Sequence, residues 1–197
     1  MQRITIIDTG CANLSSVKFA FDRLGYQAKI SRDLAEIKAA DKLLLPGVGT
    51  ALAAMKNLTD RNLIETIRQL TQPVLGICLG MQLMTEFSSE GNLATLELMR
   101  GRTELIPDTG LPLPHMGWNQ VRYQAAHPLF AEIEQDSHFY FVHSYAVLPN
   151  ENTIASCDYG VAFSTALGYK NFYGVQFHPE RSGKAGAQLL RNFVENV

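Results

Sequence analysis

Pro73-Val74-Leu75-Gly76-Ile77-Cys78-Leu79-Gly80-Met81-Gln82-Leu83-Met84 carries a short apolar run straight into a helix-period segment with no connecting loop. The run 73–77 has the composition of a buried strand, and the pattern from Cys78 onward is that of a helix. Gly76-Ile77-Cys78-Leu79-Gly80 thus has the form of a nucleophile elbow with cysteine in the serine position. At such a strained strand-to-helix turn the neighbouring backbones crowd together, and glycine at both flanks removes the β-carbons that would collide. The thiol is pushed out above the sheet, and the unpaired amides that open the helix favour its thiolate form. A cysteine in an apolar run is ordinarily a packed core residue; the two glycines move the balance toward a nucleophile.

Outward from the elbow, apolar runs alternate with helix-period segments, the pattern of a sheet covered by helices on both faces. Upstream, a strand over 3–8 leads to a helix that Asn13 can cap, with Leu14, Val17, Phe21 and Leu24 on one stripe and Gly25 as its stop. A strand near 27–31 and a short helix capped by Asp33 follow. Lys42-Leu43-Leu44-Leu45 then reads as a buried strand ending at Pro46-Gly47-Val48-Gly49, and 60–70 as an amphipathic helix. Downstream, 88–116 loses periodicity and gathers Gly and Pro, which predicts an excursion or small hairpin. Strands are expected near 119–123, 138–142, 153–158, 162–168 and 172–177, with a closing helix at 184–195. The fold class is α/β, and one domain over 1–197 is expected, since 197 residues suffice for one continuous core.

Composition narrows the function. Apolar residues at 46% and charged residues at 18% fit a globular enzyme and exclude a disordered chain. Seventeen Lys and Arg against nineteen Asp and Glu give a net charge of -2 with no basic run, so nucleic acid is not an expected partner. The opening Met1-Gln2-Arg3-Ile4-Thr5-Ile6-Ile7-Asp8 reaches an acid too soon for a secretory core, and no apolar run has the ~20 residues of a membrane span. A cytoplasmic location away from the membrane is expected. Cys11, Cys78 and Cys157 are sparse and unpaired in spacing, and His115, His127, His138 and His143 share no ligand spacing with them or each other. Neither disulfide, metal nor cofactor is expected, and packing roles are expected for Cys11 and Cys157.

A thiolate nucleophile needs an acid/base partner, and Val175-Gln176-Phe177-His178-Pro179-Glu180 supplies one. In extended chain, residues i and i+2 face the same side about 6.6 Å apart, which lets Glu180 reach back to His178. Such a carboxylate fixes the tautomer, leaving the other ring nitrogen to take the thiol proton and return it to the leaving group. Alone, His-x-Glu is as readily a surface pair; beside an elbow it completes a Cys78, His178, Glu180 triad. The glycine-rich strand end at Val48-Gly49 can turn a backbone amide toward an oxyanion, together with that of Leu79.

Pro46-Gly47-Val48-Gly49, Gly76-Ile77-Cys78-Leu79-Gly80-Met81-Gln82 and Phe177-His178-Pro179-Glu180 together resemble, in order and spacing, the class I glutamine amidotransferases. Within that family, Asp8-Thr9-Gly10-Cys11-Ala12-Asn13-Leu14, Pro114-His115-Met116-Gly117-Trp118-Asn119 and His143-Ser144-Tyr145 are similar to the branch of glutaminase subunits of imidazole glycerol phosphate synthase. The resemblance implies a three-layer sandwich around a mostly parallel twisted sheet. It implies a thioester pathway in which Cys78 attacks the glutamine carboxamide and water releases glutamate. Gly49, Gln82, Ser144 and Tyr145 would hold the amino-acid end of glutamine. The implied partner is a (β/α)8-barrel cyclase subunit that uses the ammonia in histidine biosynthesis, met by a face near Asn13, Met116, Trp118 and Arg181. Rival readings are an amidotransferase for another acceptor, a cysteine peptidase or γ-glutamyl hydrolase, and a silent regulatory subunit; the motifs at 8–14 and 114–119, Gln82 and the intact triad oppose them in turn.

Overall fold

The computed structural model describes residues 1–11 and 13–197; Ala12, part of the motif that opens at Asp8, lies outside the described residues. In chain order the first half forms β1 (Ile4–Ile7), α1 (Leu14–Arg23), β2 (Ala28–Ser31), α2 (Leu34–Ala39), β3 (Lys42–Gly47), α3 (Ala51–Asp60), α4 (Ile64–Arg68), β4 (Val74–Cys78) and α5 (Leu79–Leu83). The second half adds β5 (Phe87–Ser88), β6 (Leu93–Ala94), β7 (Arg102–Leu105), β8 (His115–Tyr123), β9 (Ser137–His143), β10 (Tyr145–Val147), β11 (Thr153–Asp158), β12 (Ala162–Tyr169), β13 (Phe172–Val175) and α6 (Gly183–Glu195). Short 3-10 turns lie at Pro128–Phe130 and Pro179–Arg181.

Among the described residues the main sheet has nine strands in the order β2-β1-β3-β4-β13-β12-β11-β8-β9. It is parallel from β2 through β13 and antiparallel from β13 outward to β9. Alternation along the central strands decides the layers. Leu44, Leu75 and Ile77 face α1 and α6, packing with Val17, Phe21, Leu189 and Phe193. Leu43, Leu45 and Val74 face the other way, onto Ile37, Leu58, Ile67 and Met81 of α2, α3, α4 and α5. Each such fully buried Leu, Ile or Phe contributes about 1.5–3 kcal/mol, so the two faces together hold a helix–sheet–helix sandwich closed.

Four local expectations are corrected. Asn13 does not cap α1: its φ is 78°, its side chain makes no cap bond, and its Nδ2 donates to Glu180. The helix expected at 60–70 is α4 alone, preceded by α3, whose cap Thr50 accepts from the Ala53 amide at 3.2 Å; Asn62, at a φ of 56°, separates the two. Residues 88–116 hold more than a hairpin: β5, β6 and β7 join β10 in a second, four-stranded sheet, and β8 begins at His115. The last sheet strand ends at Val175, so Phe177 and His178 leave the ladder before Pro179 begins a 3-10 turn.

The elbow is a backbone-to-backbone contact. Register pairs Gly47 with Cys78 and Leu45 with Gly76. A β-carbon at Gly80 would sit 1.8 Å from the Leu45 carbonyl oxygen, and one at Gly76 would sit 2.8 Å from the Gly80 carbonyl. Helix α5 thus lies directly on β3 and β4. Helix propensity alone has Gly80→Ala stabilising by about 1 kcal/mol; the contact reverses the sign, and a loss of about 3 kcal/mol is expected in urea unfolding.

Candidate active site

Cys78 is the last residue of β4 and the residue before α5, with φ 54° and ψ -111°, a conformation that L side chains rarely adopt. The strain is held by the glycine contacts below it, and its consequence is to lift the side chain into a pocket at the carboxyl ends of the parallel strands, where α/β sheets bind their ligands. That pocket, about 360 Å³, is lined by Cys78 and His178, by Val48, Gly49 and Leu79, and by Gln82, Ser144 and Tyr145, with Glu90, Pro114, Val142 and His143 completing its wall. Residues from six separate stretches of chain therefore meet in one pocket.

His178 and Glu180 are held differently from the extended i, i+2 geometry expected of them. The 3-10 turn folds Glu180 back under the ring, and its Oε1 accepts from His178 Nδ1 at 2.7 Å. The same oxygen accepts from Asn13 Nδ2 at 3.2 Å. Both side chains are buried. The turn is itself pinned: Ser182 Oγ donates to the His178 carbonyl at 2.6 Å, and the His178 amide donates to the Tyr140 carbonyl at 2.9 Å. With Nδ1 committed to the carboxylate, Nε2 is left buried and without a partner among the described residues. A nitrogen so disposed is free to exchange a proton with whatever occupies the pocket.

The thiol of Cys78 donates to the Val142 carbonyl oxygen at 3.9 Å and its sulfur accepts from Gln176 Nε2 at 3.7 Å. Burial pushes the His178 ring down, but its interactions with Cys78 and then Glu180 outweigh burial and carry it up to about 10. The imidazolium is the favoured partner of a thiolate and the acid ready to protonate a departing amine.

Leu79 is the first residue of α5, so its amide has no partner within the helix. Across the pocket Gly49 has a φ of 99°, which frees the Val48–Gly49 backbone to present an amide to the same space. Gln82 is already engaged, donating through Nε2 to the Tyr145 carbonyl and to Gln176 Oε1, each at 3.0 Å. Glu90, which sequence reasoning did not single out, brings a carboxylate to the pocket and accepts from the Ala51 amide at 2.6 Å. Its signal was weak because Ser-Ser-Glu-Gly reads as a surface turn. Met116 and Trp118 are more than half exposed on one face of β8, with Trp118 edge-on to Tyr140 at 6.0 Å; Asn13 and Arg181 flank the His178–Glu180 turn. Cys157 is buried, and burial pushes its thiol up to about 12; Cys11 donates to the Pro46 carbonyl at 3.7 Å. Among the described residues no group of three or more His, Cys, Asp or Glu is placed to hold a metal, and no helix is long and apolar enough to cross a membrane.

Two of the contributions that raise His178 come from Glu180. In Glu180→Gln the titration of the ring, followed by the NMR shift of its Cε1 carbon, is expected to fall from about 10 toward the ordinary 6.5. An unchanged titration would mean that the carboxylate does not govern the ring.

The family model described as glutamine amidotransferase class-I matches residues 5–197. A relative from Mannheimia succiniciproducens, named imidazole glycerol phosphate synthase subunit HisH, is 81% identical over 98% of this chain and 99% of its own length. Proteins of the same name from Pasteurella multocida and Vibrio cholerae are 71% identical over the full length of both chains and 56% identical over 98% of each. A solved glutamine amidotransferase from Thermotoga maritima superposes with a TM-score of 0.69 at 17% identity, covering 98% of this chain and 96% of that one, a likeness of fold. With the three-layer sandwich, the elbow and the family match spanning all but the first four residues, this chain belongs to the class I glutamine amidotransferases.

Proposed function

We propose that this chain is the glutaminase subunit of an imidazole glycerol phosphate synthase, a single amidotransferase domain over 1–197 that acts in the cytoplasm. It hydrolyses glutamine to glutamate and ammonia and passes the ammonia to a (β/α)8-barrel cyclase subunit. That partner forms imidazole glycerol phosphate and aminoimidazole carboxamide ribotide in histidine biosynthesis. The observation that carries the reading is Cys78 at a strained elbow sharing one pocket with a carboxylate-bound His178, in a chain whose full length matches relatives bearing that name.

The chemistry follows from the atoms in place. The Cys78 thiolate attacks the side-chain carbonyl carbon of glutamine, and the oxygen that gains charge is met by amides of Leu79 and the Val48–Gly49 strand. The carbon–nitrogen bond then breaks, with the His178 imidazolium giving its proton to the amine, so ammonia leaves and a thioester remains. Neutral His178 next takes a proton from water, whose oxygen attacks the thioester; collapse releases glutamate and returns the proton and the thiolate to their starting places. Glu180 stays ionised throughout, holding the ring and stabilising its charged form. Glu90 is the anionic group in the pocket suited to the α-ammonium of the substrate, and Ser144, Tyr145 and Gly49 offer polar groups to its carboxylate.

The exposed Met116–Trp118 face, with Asn13 and Arg181 around the His178 turn, is suited to the synthase partner. Asn13 donates to the triad carboxylate, so a partner that engages Asn13 has a direct route to the site. Isolated chain is expected to hydrolyse glutamine more slowly than the complex.

With the cyclase partner present, Cys78→Ala should lower glutamine-driven turnover by about 10⁴-fold or more while ammonium-driven turnover persists. Glutamine use that survives the substitution would remove Cys78 from the mechanism. Glu90→Gln keeps an acceptor for the Ala51 amide and removes the charge, so the KM for glutamine should rise about tenfold with kcat little changed.

A further inference from the structure

His115 and His143 are buried, lie opposite one another in the β8–β9 register, and have no part in the chemistry above. Their hydrogen bonds can be assigned one after another. His143 Nδ1 lies 2.8 Å from the Tyr145 carbonyl oxygen, which can only accept, so Nδ1 carries the proton. Burial pushes both rings down to about 4, so each holds a single proton at neutral pH. His143 Nε2 is then an acceptor, and His115 Nδ1, 2.9 Å away, must donate to it. That leaves His115 Nε2 to accept from Asn119 Nδ2 at 3.3 Å. Asn119 is itself oriented: Nδ2 donates to the Asp158 carbonyl at 3.0 Å, and Oδ1 accepts from the Gln120 amide at 2.8 Å. No donor in this series faces a donor.

The series does not stop at Tyr145. The same carbonyl accepts from Gln82 Nε2 at 3.0 Å; Gln82 Nε2 also donates to Gln176 Oε1 at 3.0 Å, and Gln176 Nε2 donates to Cys78 Sγ at 3.7 Å. We propose that His115 and His143 are positioning residues: a pair of neutral imidazoles, each protonated on Nδ1, that fixes the Tyr145 carbonyl and through Gln82 and Gln176 holds the pocket wall and the sulfur in register. His143 forms part of that wall beside Ser144 and Tyr145. The reach of the pair to substrate rests on the glutaminase reading above; the tautomers do not. A ring flipped to the Nε2-protonated form would present a lone pair to the Tyr145 oxygen and a proton to the His115 donor, two repulsions inside an apolar surround.

His115 stacks on Tyr159 and Phe141 with ring centroids 4.1 and 4.8 Å away, so His115→Phe keeps the stacking and deletes the donor, while His115→Gln restores an N–H. Nitrogen-15 NMR of the native chain is expected to show both histidines neutral at pH 7 with the proton on Nδ1. In His115→Phe the His143 tautomer should become mixed. In the complex with its cyclase partner, the KM for glutamine should rise about tenfold, ammonium-driven turnover should be unchanged, and His115→Gln should recover most of the loss. His143 protonated on Nε2 in the native chain would overturn the proposal even if a variant fails to fold. A folded His115→Phe with native KM would overturn it equally. If instead the native chain never hydrolyses glutamine while the tautomers are as assigned, the glutaminase reading fails and the proton order stands.

Discussion

The close approach of α5 to β3 and β4 governs the rest of the molecule. With the Leu45 carbonyl occupying the place where a β-carbon of residue 80 would be, the chain can leave β4 only by the sharp turn at Cys78. Strain at one φ above zero is sustained because two apolar layers clamp the helix onto the sheet from either side of that turn. The height of the sulfur above the sheet is therefore set by packing, and its hydrogen bonds to Val142 and from Gln176, long and weak, serve only to orient it.

Around that fixed sulfur the polar groups are arranged in two hydrogen-bonded lines of opposite character. One is ionic and short: Asn13, half-buried, then Glu180 and His178, whose side chains are buried, with the ring raised to about 10. The other is neutral and long, running from Asn119 through His115, His143, Tyr145, Gln82 and Gln176, with both rings lowered to about 4. The same side chain thus titrates on opposite sides of neutrality within one site. The difference lies in charge: His178 has a carboxylate and a thiol for company, whereas His143 and His115 have each other and aromatic rings. A charged line can move a proton, and a neutral one can hold a shape.

Local rules carried the reading where one residue type had one physical use. Gly76 and Gly80 flanking Cys78 could be read because no other residue fits there, and Asp33 caps α2 as its type suggests, accepting from the Glu36 amide at 2.9 Å. They failed where a distant group competed. Asn13 looks like a helix cap and is taken by a carboxylate 167 positions away. Residues 88–116 carry no periodicity because β5, β6 and β7 are short strands whose partners include β10, far along the chain. Glu90 was not singled out because its pocket is assembled from other segments.

The sequence by itself determined the elbow, the alternation that builds an α/β sandwich, and membership of the family, and it singled out Cys78, His178 and Glu180 as candidates, since each is written in adjacent residues or fixed spacings. Tertiary structure decided the rest: that Glu180 reaches its histidine through a 3-10 turn, that the resting thiol addresses Val142 and Gln176, and which nitrogen of each buried imidazole carries its proton. The physical reason is that proton positions and thiol rotamers answer to every donor, acceptor and charge within hydrogen-bonding range, and those neighbours come from segments that only the folded chain brings together.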